Sequence, residues 1–103
     1  MPSSQNEAVF VNVIEVDPSR AEELLAIVKE GNDRVIRSRD GFISAFIATS
    51  ADASRVVTVG RWRSIDAIKA LKSEATVTEY AKRTAAIARA SPTLFTIVAE
   101  YRP

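Results

Sequence analysis

The sequence predicts an α+β protein with the element order β-α-β-β-α-β. Four runs are rich in β-branched and aromatic residues, and two segments between them repeat apolar residues every three or four positions. Pro, Gly or short polar stretches separate these runs. With 103 residues, 47% hydrophobic and 26% charged, the chain is expected to form one domain, residues 8–103, after a flexible tail at residues 1–7.

The first predicted strand, Val9–Val16, reads VFVNVIEV and carries an amide, Asn12, at its centre. The stretch DPS ends this strand because its proline fixes φ. A helical period follows, with one apolar stripe formed by Ala21, Leu24, Leu25, Val28, Val35 and Ile36. Two helix caps fit the sequence: Asp17 with the proline as first helical residue, or Ser19 reciprocated by Glu22.

Three more strands are expected, at Phe42–Thr49, Arg55–Trp62 and Thr93–Tyr101. The polar stretch SADAS suits a hairpin loop between the first two of them. The second helical region begins with IDAIKALKS and continues over Thr76–Ala90, either unbroken or with a break near residues 73–76. Pro92 is predicted to end it.

Four antiparallel strands with both helices on one face, the ferredoxin-like arrangement, would bury these apolar residues. The strands, however, are apolar on both faces: Val9, Val11 and Val13 against Phe10, Ile14 and Val16, and Ile43 and Ile47 against Phe42 and Phe46. An uncovered apolar sheet face of this size predicts a partner. Two such sheets facing each other would form a homodimer.

Composition excludes several kinds of chemistry. A net charge of +1 gives no electrostatic basis for binding nucleic acid or an anionic membrane. With no Cys and no His, the chain has no disulfides, thiolate nucleophiles, His-dependent triads, or His or Cys metal ligands. The longest uncharged run, Gly41–Ala51, is too short to span a bilayer, and the amino terminus lacks a signal-peptide pattern. We therefore expect a cytoplasmic location.

Four motifs in order resemble the antibiotic biosynthesis monooxygenase family of dimeric α+β barrels. They are VNVIEVDPSRAEEL, DGFISAFIATS, VVTVGRWRSIDAIKAL and the terminal SPTLFTIVAEY, and the similarity spans Val9 to Tyr101. The most specific parts are the Asn of the first strand, the Gly-Phe before the second, and Trp62 followed by a helix cap. The resemblance implies a pocket between the helices and the sheet. Family members include cofactor-independent oxygenases of anthrone-like polyketides and haem-degrading enzymes.

The resemblance also implies roles for particular residues. Asn12 and Trp62 would donate N–H groups to a substrate oxygen or to dioxygen, and Tyr80 would be a proton donor. The expected substrate-binding residues are Phe10, Ile14, Thr58, Ile68, Leu71 and Arg83. No cofactor is expected, because an electron-rich phenolate or carbanion can pass an electron to oxygen directly.

The chain departs from the family pattern at two places. Haem-degrading members use a Trp of the second helix and a His that binds iron, where this chain has Leu71 and either Tyr80 or Ala81. Anthrone-oxidising members have an Asn four residues before the strand-three Trp and a Tyr six residues after it. Thr58 and Ile68 stand at those positions here.

Three functions fit these observations. The first is a cofactor-independent monooxygenase of a small aromatic or polyketide-like substrate, such as an anthrone or quinol. The second is a non-catalytic dimer that binds a small apolar ligand, and the third is a haem binder, which the lack of His disfavours. Four of these residues also have a structural interpretation: Asn12 as a satisfied buried amide, Trp62 and Tyr80 as core residues, and Arg83 as a surface ion-pair partner.

Overall fold

The computed structural model describes residues 7–103 and has the predicted α+β fold. Its strands are β1 (Ala8–Val16), β2 (Phe42–Thr49), β3 (Arg55–Trp62) and β4 (Ala88–Thr96), and its helices are α1 (Ala21–Arg34), α2 (Ile65–Lys72) and α3 (Ala75–Ala85). The strands form one antiparallel sheet in the order β2-β3-β1-β4. This is the ferredoxin-like topology, with the second helical region divided into α2 and α3.

The predicted N-terminal tail lies outside the described residues except for Glu7, whose carboxylate pairs with Arg61. No helix within residues 7–103 is long and apolar enough to cross a membrane. The cytoplasmic location stays a prediction.

Asp17, of the two candidate residues, caps the first helical region. Its Oδ1 accepts hydrogen bonds from the backbone N–H of Ser19 at 2.9 Å and from the Ser19 hydroxyl at 2.8 Å. Both bonds lower the pKa of Asp17, and the backbone bond has the larger effect. One turn of 3₁₀ helix, Pro18–Arg20, then leads into α1. The proline is suited to this turn because its φ is already helical.

Gly41 forms the turn that enters β2. Its φ is +88°, in the left-handed region that glycine adopts without strain. A Cβ at this position would also lie 2.6 Å from the Cβ of Ala67. The chain can therefore pass this close to α2 only with glycine at the turn.

The last helix and the last strand are both present, but their predicted bounds, a helix to Ala90 and a strand at Thr93–Tyr101, are wrong. The helix α3 ends at Ala85, and β4 runs from Ala88 to Thr96. The Ala-rich sequence here fits a helix locally, but all nine residues of β4 pair with β1, and strand pairing overrides a weak local preference. Pro92 is tolerated inside β4 because β4 is an edge strand of the sheet.

The predicted alternation of β2 is also wrong, because the strand contains a bulge. Its register with β3 shifts between Phe42 and Ser44, and a bulge reverses the faces of the residues that follow it. Phe42 pairs with Trp62 and Ile47 with Thr58, so these two side chains share the helix-covered face. Phe46 lies on the opposite face and is 59% exposed.

Two apolar clusters form the core between the sheet and the helices. One contains Ile14, Val16, Ala21, Leu24 and Val56, and the other contains Ala8, Trp62, Ile68 and Leu71. Along β1 the first cluster begins at Ile14, whereas Phe10 packs against the second. Asn12 lies between them on the same face of the strand. The amide therefore interrupts the core at the centre of the sheet.

Candidate functional site

A cavity of about 300 Å³ opens where Asn12 interrupts the core. Its walls come from the helix-covered face of the sheet and from all three helices, and most of its lining is apolar. The predicted pocket between helices and sheet is therefore present. A cavity of this size and polarity is typical of sites for small organic molecules.

The cavity brings together most of the residues that the sequence singled out. Its lining includes Phe10, Asn12, Ile14, Thr58, Trp62, Ile68, Leu71 and Tyr80. The prediction that Asn12 and Trp62 face the same side of the sheet is confirmed, because Asn12 pairs with Thr58, which lies four residues before Trp62 on the same face of β3. Arg83, the remaining predicted site residue, is not part of the lining. The lining also includes Lys72 and Gly31, which the sequence did not indicate as site residues.

Asn12, which lines the cavity, carries an unpaired polar atom. Its Oδ1 is buried and has no hydrogen-bond partner within residues 7–103. A buried acceptor without a partner costs about 1–3 kcal/mol of stability, so native proteins seldom keep one without a reason. The interpretation of Asn12 as a satisfied buried amide does not hold for this atom. An O–H or N–H group of a bound molecule would satisfy it once the amide turns this oxygen towards the cavity.

Trp62 belongs to the core and to the cavity wall at once. It is 2% exposed, and its ring meets Phe42 edge-on, with centroids 5.3 Å apart and planes at 81°. A Cβ on Gly60 would lie 3.0 Å from the indole Nε1. Gly60 therefore lets the N–H end of the indole lie close against β3.

The hydroxyl of Tyr80 is hydrogen-bonded to a carboxylate on α1. The hydroxyl donates to Oε2 of Glu30 on α1 at 2.7 Å, and the same oxygen accepts from Arg83 at 3.0 Å. The hydrogen bond to Glu30 raises the pKa of Tyr80, and burial raises it further by a smaller amount. The hydrogen bonds from Tyr80 and Arg83 lower the pKa of Glu30. The Tyr80 ring packs on Gly31, where a Cβ would lie 3.3 Å from Cγ.

Arg83 therefore takes the surface ion-pair role, because its guanidinium pairs with Glu30 and lies 5.2 Å from the centre of the Tyr80 ring. Contact of Arg83 with substrate stays a prediction. Proton donation by Tyr80 would first require its bond to Glu30 to break. Within residues 7–103 no group of three or more His, Cys, Asp or Glu side chains could hold a metal ion.

Fold and cavity together define a small ferredoxin-like domain that encloses an apolar binding site against its sheet. The family model for antibiotic biosynthesis monooxygenases matches residues 8–83, and the chain belongs to this family. The matched region holds the Asn12, Trp62 and Tyr80 positions and ends before β4. A search of curated proteins found no match.

Solved structures of low sequence identity share the fold. The monooxygenase from the ActVA-Orf6 gene of Streptomyces coelicolor, in complex with nanaomycin D, is 22% identical, with a TM-score of 0.85 over 96% of this chain and 94% of that one. SnoaB, a cofactor-independent oxygenase from Streptomyces nogalater, is 21% identical, with a TM-score of 0.74 over 92% and 96%. Rv0793 from Mycobacterium tuberculosis is 18% identical, with a TM-score of 0.82 over 94% and 100%.

Proposed function

We propose that the chain is a cofactor-independent monooxygenase of a small aromatic or polyketide-like substrate such as an anthrone or quinol. The observation that carries the proposal is Asn12, an amide with a buried, unpaired Oδ1 that lines the same apolar cavity as the only Trp of the chain. Membership of a monooxygenase family supports it. Two similar structures, a cofactor-independent oxygenase and a monooxygenase in complex with nanaomycin D, agree with it.

The chemistry needs positioning more than reactive side chains. An ionised anthrone passes one electron to dioxygen, the two radicals combine, and loss of water leaves a carbonyl where a CH₂ group had been. One oxygen atom of O₂ enters the product and the other leaves in water. The Asn12 amide can accept a hydrogen bond from a substrate hydroxyl and donate one to a developing oxyanion, and the Trp62 indole adds a second donor. Tyr80 remains the proposed proton donor.

Apolar walls have a separate role in this proposal. They exclude water from the reacting pair, which strengthens each hydrogen bond made inside the cavity. Apolar side chains would pack against the rings of the substrate and select it by its shape. They are those of Phe10, Ile14, Ile68 and Leu71. Thr58 stands beside Asn12 in the sheet register and would help to set the orientation of the substrate.

Oxygen uptake tests the proposal directly. The parent protein is mixed with 1,8-dihydroxyanthrone or 1,4-dihydroxynaphthalene, and oxygen consumption is compared with the spontaneous oxidation in buffer. The expected result with the anthrone is one O₂ per product molecule, with one ¹⁸O atom from labelled O₂ in the product. Uptake no faster than in buffer with every phenol, quinol and anthrone tried would instead favour a non-catalytic binder of a small apolar ligand. The predominantly apolar cavity lining is the observation that keeps this alternative open.

We further propose that the chain forms a homodimer through the uncovered face of the sheet. On this face Val13, Phe46 and Phe95 are 36%, 59% and 50% exposed. Beyond β4, Val98 and Tyr101 are 96% and 92% exposed, which is unusual for residues of their size. A second copy packed on the sheet face would cover Val13, Phe46 and Phe95.

A further inference from the structure

Lys72, the last residue of α2, is the only charged side chain among the described residues that line the cavity. Its ammonium group lies 5.5 Å from the centre of the Phe10 ring. Phe10 precedes Asn12 by two residues and therefore shares its face of β1. A cation, an aromatic ring and the Asn12 amide thus follow one another along one wall of the cavity.

The charge of Lys72 is not neutralised by the protein. None of the ion pairs formed within residues 7–103 includes it, and residues 1–6 carry no carboxylate side chain. By contrast, Arg83 at the neighbouring helix is paired with Glu30, and Arg39 is paired with Glu74. Lys72 is thus the cation beside the cavity that is free to meet an anion.

We propose that Lys72 binds an acidic group of the ligand, so that the cavity selects an aromatic molecule with a carboxylate or ionised phenol at one end. A hydroxyl or N–H group further along that molecule would donate to Oδ1 of Asn12. This inference rests on the proposed function only in taking the bound molecule to be the substrate. It names the class of substrate: an aromatic acid instead of a neutral ring system.

Geometry gives a physical reason for the selectivity. The face of Phe10 attracts the ammonium group and holds it at the apolar wall. An anion that enters the cavity loses water, so a charge-assisted hydrogen bond from Lys72 is stronger there than on an open surface. Because Lys72 itself is exposed, screening by salt limits the effect. A preference of roughly three- to tenfold is expected.

Isothermal titration calorimetry with two ligands of the same shape tests the inference without any turnover. 2-Naphthoate carries a negative charge at neutral pH, and 2-naphthamide does not. Lys72→Met removes the charge and keeps most of the stem, whereas Lys72→Glu reverses the charge. Lys69→Met is the matched control, because Lys69 lies on the same helix, is exposed and does not line the cavity.

The parent and Lys69→Met should bind 2-naphthoate more tightly than 2-naphthamide, and added salt should reduce the difference. Lys72→Met should bind both equally, and Lys72→Glu should prefer the amide. Equal binding of the two ligands by the parent, or an equal loss of preference in the Lys69 and Lys72 variants, would overturn the role of Lys72 and leave the proposed oxygenase intact. Binding of neither ligand by the parent would overturn the proposed aromatic site together with this inference.

Discussion

Replacing Asn12 by Val should make the protein more stable and less active. The Oδ1 atom of Asn12 is buried and unpaired, and such an atom costs about 1–3 kcal/mol. Valine carries no polar atom, suits the middle of a strand, and has a cavity of about 300 Å³ beside it to accept its methyl groups. We expect a gain of about 1 kcal/mol in the free energy of unfolding, which raises Tm by roughly 4–8 °C for a domain of about 100 residues.

Turnover should change in the opposite direction. A donor directed at developing negative charge lowers the barrier by ~3 kcal/mol, so its loss reduces the rate about a hundredfold. Urea denaturation and oxygen uptake with 1,8-dihydroxyanthrone, measured on the same preparations, separate the two effects. Protein concentration must be held constant, because dimerisation would contribute to the measured stability.

Thr58→Val provides the control for the stability measurement. Thr58 pairs with Asn12 in the sheet register and lines the same cavity, but it is not among the buried side chains left without a partner. Its gain in stability should therefore be smaller than that of Asn12→Val. A loss of about 1 kcal/mol or more in Asn12→Val with unchanged turnover would refute the reasoning, because Asn12 would then be a structural residue.

Three further predictions concern the fold and the assembly. Gly41→Ala should lower the free energy of unfolding by about 1–2 kcal/mol in urea denaturation, because φ is +88° and the new Cβ would lie 2.6 Å from the Cβ of Ala67. Unchanged stability would exclude a left-handed conformation at this turn. The hydrogen bonds that Asp52 accepts, chiefly from the side chain of Ser54, lower its pKa to about 2 from 3.8, so its contribution to stability is present above pH 3.8 and is lost as pH falls towards 2. An NMR titration midpoint near 4 would contradict this. Phe46→Glu on the uncovered sheet face should convert a dimer to a monomer in light scattering, and a parent that is monomeric at micromolar concentration would disprove the proposed dimer.

The strands β2 and β3 could be predicted to the residue because both are dense in β-branched and aromatic side chains and the polar SADAS loop separates them. The start of β4 could not, because its alanines favour a helix as much as a strand until β1 is available for pairing. The bulge in β2 could not be predicted from the sequence either. A bulge depends on the partner strand, and no residue type in Phe42–Ser44 marks it.

The sequence likewise predicts some of the site residues and not others. Asn12 was visible because an amide in the middle of an apolar strand is unexpected, and the alternation of strands placed Trp62 on the same side. The bond between Tyr80 and Glu30 spans 50 positions of sequence, so only the packing of α3 on α1 reveals it. Lys72 was overlooked for a related reason. A lysine at the end of a helix is normally a solvated residue, and its proximity to Phe10 exists only once α2 is packed over β1.

The two faces of β1 allow the proposed site and the proposed dimer to be tested independently. Successive side chains of a strand point to opposite faces, so Asn12 enters the cavity while Val11 and Val13 lie on the uncovered face. A slip of one residue in the pairing with β3 would exchange the two sets and place an amide in the interface and valines in the cavity. The buried Ile14 and Val16 oppose such a slip, because both would then leave the core. The residues that fix this register therefore support both proposals, although no side chain of β1 belongs to both surfaces.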